Sequence, residues 1–91
     1  MKQPIEVTSE GPEGPAYVRY SRDERVMTRA TPANPDVVVD YDRVGNVIGV
    51  ELVCLEREDL RILAALAHVH SLALPPLRAL RGVRVEEAVP A

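Results

Sequence analysis

Apolar and polar residues alternate in two short segments near the start of the chain. Residues 16–20 read AYVRY and residues 26–30 read VMTRA, so every second side chain falls on the same face of an extended strand. The polar run SRDER that separates them is typical of a turn. The pattern predicts two strands that form a first hairpin.

The segment VVVDYDRVGNVIGVELV, residues 37–53, predicts a second hairpin. Its turn contains Asp42 and Gly45, spaced like the first and fourth residues of a type I turn. A three-residue loop would place Asp40 opposite Ile48 on the core side, whereas a four-residue loop leaves Asp40 on the outer face. We expect the four-residue loop because it separates apolar from polar side chains. In that register the core-facing residues are Val37, Val39, Tyr41, Ile48, Val50 and Leu52.

After residue 55 the apolar residues recur with the period of a helix. Acidic side chains fill the first turn, where the positive end of the helix dipole favours them. Pro75 and Pro76 prevent continuation, so the helix should end near residues 70–74. The apolar band that would cover the sheet consists of Leu60, Ile62, Leu63, Ala64, Leu66, Ala67 and Val69.

These elements predict an α+β fold, in which two β-hairpins form a four-stranded antiparallel sheet and one α-helix packs on one face. Residues 1–15 are rich in Pro and Gly and are expected to form a flexible N-terminal tail. Residues 16–74 would be the sheet-plus-helix domain, with a loop at Pro32 and Pro35. Residues 75–91 would be a C-terminal extension, whose order the sequence leaves open.

Composition suggests that this small domain assembles with other copies. Of the 91 residues, 46% are hydrophobic and 27% are charged, but Trp and Phe are absent. A chain of this size buries only about 60–65% of its unfolded surface, so a core without these aromatic residues is thin. A homodimer or higher homo-oligomer would compensate for it.

Charge and hydropathy narrow the choice of partners and location. The net charge of −3 gives no general attraction to nucleic acid. The chain has no apolar stretch typical of a secretion signal and no run near the roughly 18 apolar residues of a membrane span. We therefore expect a cytoplasmic protein without membrane contact.

Motifs that would carry catalysis or bind a cofactor are missing from the sequence. There is no Gly-rich phosphate loop and no nucleophile elbow. Cys54 is the only cysteine, which excludes an intramolecular disulfide and a multi-cysteine zinc motif. His68 and His70 are two residues apart, so on a helix they point in different directions. We expect no cofactor and no catalytic residue.

Three acidic residues of the second hairpin are the candidates for a metal site. Asp40, Asp42 and Glu51 could together supply oxygen ligands for a divalent cation. Alternatively Asp42 forms the turn, while the other two acids lie on the outer face and pair with Arg19 and Arg29 of neighbouring strands. We favour this second interpretation.

Gly49 in the middle of a strand needs a physical reason. Glycine weakens a strand and usually marks a bulge or a close approach by another group. Tyr17 could lie over Gly49 on the outer face, or a second subunit could approach there. This face is the predicted interaction surface, with the residues Tyr17, Arg19, Arg29, Asp40, Gly49 and Glu51.

AYVRYS followed by VVVDYDRVGNVIGVELV resembles a family of short prokaryotic proteins, the domain-of-unknown-function family 2283. The resemblance covers roughly residues 16–55, and the TPANP connection departs from the family pattern. It implies a small sheet-plus-helix domain with no assigned reaction, and members sometimes lie beside small toxin-like genes. The matching motif residues are Tyr17, Val18, Arg19, Val39, Asp40, Tyr41, Asp42, Gly45, Gly49, Val50 and Glu51.

Three functions are therefore considered from the sequence. The first is a non-catalytic protein-interaction or oligomerisation module. The second is an antitoxin-like protein that neutralises a co-expressed small toxin. The third is a metal-dependent enzyme that uses the acidic hairpin face. We favour the first.

Overall fold

The computed structural model describes residues 1–83, which form one antiparallel sheet and two helices. The predicted α+β class is confirmed, but the sheet has five strands instead of four, in the order β1-β2-β5-β4-β3. Of the C-terminal extension expected for residues 75–91, residues 84–91 lie outside the described part. The elements are β1 (Glu6–Ser9), β2 (Ala16–Arg19), β3 (Met27–Ala30), β4 (Val37–Tyr41), β5 (Val47–Leu52), α1 (Arg57–His70) and α2 (Leu77–Leu80).

The predicted first hairpin is wrong, because β2 and β3 do not pair with each other. β2 lies between β1 and β5, and β3 pairs with β4 at the far edge of the sheet. The side chains of Ala16 and Val18 in β2 are buried, as is typical of a strand paired on both sides. The additional strand β1 comes from the segment that was expected to be a tail.

The start of the chain is also attached to the fold. The amide nitrogen of Lys2 donates to the carbonyl oxygen of Ser71 at 2.9 Å, and the amide of Ala73 donates to the carbonyl of Lys2 at 2.8 Å. The hydroxyl of Tyr20 donates to the carbonyl oxygen of Ala73 at 2.8 Å. The segment after α1 is therefore held by both the chain start and β2.

Both helices pack on the same face of the sheet, which we call the covered face. α1 contacts β4 and β5, α2 contacts β1 and β2, and neither helix contacts β3. The opposite face, called the open face, carries no helix within residues 1–83. Neither of the two helices in that range is long and apolar enough to span a membrane. The core consists of Ala16, Val18, Tyr20, Val37, Val39, Val47, Val50, Leu52, Leu55, Leu63, Ala67, Leu72 and Leu80.

The turn of the β4–β5 hairpin differs from the expected four-residue loop. The amide of Asp42 donates to the carbonyl of Asn46 at 3.0 Å, which leaves a three-residue loop. Its last residue, Gly45, has a φ of 96°, a left-handed conformation that glycine adopts without steric cost. The amide of Gly45 also donates to the carbonyl of Asp42 at 3.1 Å, so the role of Asp42 as first residue of the turn is confirmed.

A β-bulge directly after the turn restores the faces that a three-residue loop would have exchanged. Tyr41 pairs with Val47, whereas Asp40 pairs with Gly49, so Ile48 is an extra residue in β5. Val47 therefore takes the place in the core that was expected for Ile48. Ile48 is buried on the open side, and Asp40 stays on the open face.

α1 begins where the sequence predicts and is attached to the loop between β3 and β4. Glu56 and Asp59 form a reciprocal capping box at its N-terminus. The buried carboxyl of Asp59 also accepts a hydrogen bond from the side-chain amide of Asn34 at 2.7 Å. The Pro-containing loop is thus fixed against the first turn of α1.

Candidate functional site

A row of polar residues crosses the open face from one edge of the sheet to the other. Directly paired residues of neighbouring strands share a face, and the register pairs Glu6 with Arg19, Arg19 with Gly49, Gly49 with Asp40, and Asp40 with Thr28. Tyr17 lies two residues before Arg19 and so points the same way. We call this set the open-face row: Glu6, Arg19, Tyr17, Gly49, Asp40 and Thr28.

Tyr17 reaches across β5 at the position of Gly49. Its hydroxyl donates a hydrogen bond to Oδ2 of Asp40 at 2.8 Å, from β2 to β4. A Cβ atom on Gly49 would overlap the hydroxyl of Tyr17. Glycine is needed here because any side chain would close the path of the phenol; of the two approaches considered for Gly49, by Tyr17 or by a second subunit, that of Tyr17 is present.

The carboxyl group of Asp40 is the centre of the row. Asp40 is only 7% exposed, and a buried carboxyl is costly unless it is hydrogen-bonded. Its Oδ1 atom accepts a hydrogen bond from the hydroxyl of Thr28 at 2.7 Å, while Oδ2 accepts the bond from Tyr17. Both oxygens therefore have a partner within the protein.

Thr28, and not Arg29, is the residue of β3 that lies on the open face beside Asp40. Arg29 pairs with Val39, which is a core residue, so Arg29 lies on the side of the covered face, and its predicted place on the outer face with Asp40 and Glu51 is wrong. Alternation in VMTRA already places Thr28 and Arg29 on opposite faces. The missing information was the register between β3 and β4, which the sequence pattern did not supply.

Arg19 pairs with β1 instead of with the acids of the second hairpin. Its Nε atom lies 3.5 Å from Oε1 of Glu6, and its guanidinium carbon lies 5.7 Å from the centre of the Tyr17 ring. Both charged side chains are partly exposed, so this pair contributes roughly 0–1 kcal/mol. Glu51 is exposed on β5 and forms no ion pair with another residue in the described range.

The environment of Tyr17 keeps its phenol protonated, so that it donates a hydrogen bond. Burial, the hydrogen bond to Asp40 and the charge of Asp40 raise the pKa of Tyr17 to about 12. General acid–base catalysis works best when the pKa lies near the working pH. This phenol is therefore suited to holding Asp40 in place and not to proton transfer at neutral pH.

The three acids proposed as metal ligands do not come together. Asp42 lies in the turn, where its carboxyl accepts hydrogen bonds from the amides of Asn46 at 2.8 Å and Val44 at 2.9 Å. These bonds, first of all that from Asn46, lower the pKa of Asp42. Within residues 1–83, no group of three or more His, Cys, Asp or Glu side chains is placed to hold a metal ion.

An open depression lies beside the row. Its lining residues are Tyr17, Arg19, Asp23, Arg25, Asp40 and Ile48. Two arginines and two aspartates balance each other, so the depression has no strong field of one sign to concentrate a charged ligand. The charged groups here that belong to the open-face row, Asp40 and Arg19, already have partners within the protein.

The edge strand β3 is more exposed than the other strands of the sheet. All four of its residues are exposed, and it is the one strand that neither helix contacts. The apolar side chains of Met27 and the preceding Val26 are 46% and 56% exposed. The sheet thus extends one strand beyond the helical layer.

The hydrogen-bond pattern shows which backbone groups of β3 point away from the sheet. The amide of Thr31 donates to the carbonyl of Val37, and the amide of Val53 donates to that of Asp36. Alternation along antiparallel ladders then directs Met27 and Arg29 toward β4. The N–H and C=O groups of Thr28 and Ala30 point outward, and we call this side the β3 edge.

The other edge strand, β1, lies against the helical layer. β1 contacts α2, and a Cβ atom on Gly82 would lie 3.2 Å from Oγ of Ser9. The chain after α2 therefore runs beside the end of β1. Of the two edge strands, only β3 makes no contact with a helix within residues 1–83.

In comparisons with known proteins, no family model, no curated protein and no solved structure matches this chain. The resemblance to the domain-of-unknown-function family 2283 stays a prediction, and so does the antitoxin-like function that it implies.

Proposed function

We propose that this protein is a small non-catalytic interaction module that associates through β3. The observation that carries the proposal is that β3 is exposed on both faces and unpaired along one edge. Unpaired N–H and C=O groups at a sheet edge are a template for another strand. Exposed Val26 and Met27 add apolar surface at the same place.

The open-face row supports a structural role in this module. Its central carboxyl has both oxygens occupied by hydroxyl groups of the same chain. The phenol that reaches it has a raised pKa, and the nearby acids do not converge. The two hydrogen bonds link β2, β4 and β3, across β5, and so hold β3 in a fixed position at the edge of the sheet.

The β3 edge also carries features that limit association. Proteins blunt sheet edges with short strands and with charged side chains. β3 has four residues and includes Arg29. We therefore expect a defined, reversible assembly with few inter-strand bonds and not an open-ended aggregate.

The test is sedimentation velocity over a wide range of protein concentration, with two variants at Ala30. Ala30→Pro removes the outward N–H, which β4 does not use, whereas Ala30→Val keeps that N–H at the same position. We expect dimers for the wild type and for Ala30→Val, and monomers for Ala30→Pro, with unchanged circular dichroism. A wild type that stays monomeric at millimolar concentration, or an Ala30→Pro variant that assembles like the wild type, would overturn the proposal.

A further inference from the structure

We infer that Met27 is a redox-sensitive site, at which peroxide forms a sulfoxide that Arg29 binds and that weakens association through β3. The effect on association rests on the proposed function, whereas the chemistry at Met27 does not. The chain contains two methionines, and Met27 is the one that lies on a strand of the sheet.

The thioether of Met27 is accessible and has a guanidinium group beside it. Met27 is exposed on the edge strand, which neither helix contacts. Arg29 lies two residues later and so on the same face, and its Nη2 atom donates to Sδ of Met27 at 3.3 Å. A thioether is a weak acceptor. The contact therefore uses little of the donor strength of the guanidinium group.

Oxidation of Met27 creates the strong acceptor that this donor lacks. Hydrogen peroxide transfers one oxygen atom to the sulfur: the O–O bond breaks, an S–O bond forms, and the rest of the peroxide leaves as water. The sulfur loses the two electrons that the peroxide gains. The product is a polar sulfoxide, whose oxygen carries a partial negative charge. Hydrogen bonds from a charged donor are roughly twice as strong as neutral ones, so the guanidinium group of Arg29 is in place to hold this oxygen.

The sulfoxide changes the surface that β3 presents to a partner. Val26 and Met27 supply the exposed apolar area at this edge, and oxidation replaces one of these side chains with a polar one. Covering a sulfoxide costs desolvation free energy that covering a thioether does not. We expect the dissociation constant of the assembly to rise roughly tenfold, which corresponds to about 1.4 kcal/mol.

Sedimentation velocity before and after treatment with hydrogen peroxide tests the effect on association, with Met27→Leu as the matched control. Leucine is an apolar side chain without sulfur, and the variant retains Met1 and Cys54, the other sulfur-containing residues. Peptide mass spectrometry would measure the conversion of Met27. We expect peroxide to weaken the association of the wild type and to leave that of Met27→Leu at its own untreated value.

Nuclear magnetic resonance of the Arg29 side chain tests the sulfoxide contact separately. The measurement uses the Ala30→Pro variant, which is expected to be monomeric before and after oxidation, so that a change of assembly does not contribute. We expect the guanidinium N–H resonances of Arg29 to shift when peroxide oxidises Met27. The same treatment of Ala30→Pro/Met27→Leu should leave them unchanged.

The outcomes distinguish this inference from the proposed function. The inference would be overturned by unchanged association after complete oxidation of Met27, by an equal loss of association in Met27→Leu, or by unshifted Arg29 resonances. Failure of Met27 to react under conditions that oxidise Met1 would overturn it as well. A wild type that is monomeric before treatment would overturn the proposed function and with it the effect on association, while shifted Arg29 resonances would still support the sulfoxide site.

Discussion

The phenol of Tyr17 occupies the space that a side chain at Gly49 would need. The hydroxyl passes over the backbone of β5 and donates to Asp40 at 2.8 Å, and a methyl group at Gly49 would overlap it. The hydrogen bond that joins β2 and β4 across β5 therefore requires glycine at position 49.

Gly49→Ala is expected to destabilise the fold. The new methyl group displaces Tyr17, so Asp40 loses a hydrogen bond in a mostly buried place. The loss of such a bond costs about 1–3 kcal/mol, which outweighs the gain of about 0.5–1 kcal/mol from replacing glycine in a strand. Urea unfolding monitored by circular dichroism would measure the change. The control is the same substitution in a Tyr17→Ala background, where the cost should disappear; an equal cost in both backgrounds would contradict the contact.

Tyr17→Phe is expected to lower the free energy of unfolding by about 1–3 kcal/mol, because it leaves Oδ2 of Asp40 without its donor. Tyr41→Phe is the matched control. The hydroxyl of Tyr41, a half-buried residue, makes no hydrogen bond with another residue in the described range. Chemical denaturation of both variants would test the difference, and equal stabilities would show that the bond to Asp40 contributes nothing.

Stability is expected to fall between about pH 10 and pH 12. Burial is the largest cause that raises the pKa of both Tyr17 and Tyr20 from 10.0 to about 12. In this window the unfolded chain has released phenol protons that the folded protein retains, so the free energy of unfolding decreases as the pH rises. The contribution is fully present below pH 10.

Denaturant midpoints at stepwise pH would measure this fall, with the variant Tyr17→Phe/Tyr20→Phe as the control. The double variant lacks both phenols, so its midpoint should change less over the same window. A wild-type midpoint that is constant up to pH 12, or an equally steep fall in the double variant, would show that these two groups do not control alkaline stability.

Much of the fold could be predicted from the second half of the described chain. The alternation of apolar residues in β4 and β5, and their helical period in α1, directly indicate which side chains of these elements are buried. The predicted helix end near residues 70–74 agrees with the end of α1 at His70. Local signals were sufficient because each of these elements presents a clear apolar side to the core.

The strand order could not be predicted because it depends on long-range pairing. β1 is a short segment beside Pro and Gly residues, and its place is set by pairing with β2. The position of Thr28 in the candidate site likewise depends on the register between β3 and β4. Local alternation gives the two faces of a strand but does not show which strand lies next to it.

The predicted register of the β4–β5 hairpin was wrong for a similar reason. The bulge at Ile48 inserts one residue after a three-residue loop, and the two irregularities together return Asp40 to the open face. A regular pairing model allows either a three-residue or a four-residue loop, but not this combination. The placement of Asp40 was therefore correct, although the turn that was expected to produce it was not.

The central place of β5 has a consequence for the order of folding. β1 and β2 form one local hairpin and β3 and β4 form another, and β5 is the strand that lies between the two pairs. A two-stranded hairpin is marginally stable in water by itself. A nascent chain from which residues 47–52 have not yet emerged can therefore form only two separate hairpins. Pairing of β5 with both β2 and β4 is the step that joins them into one sheet.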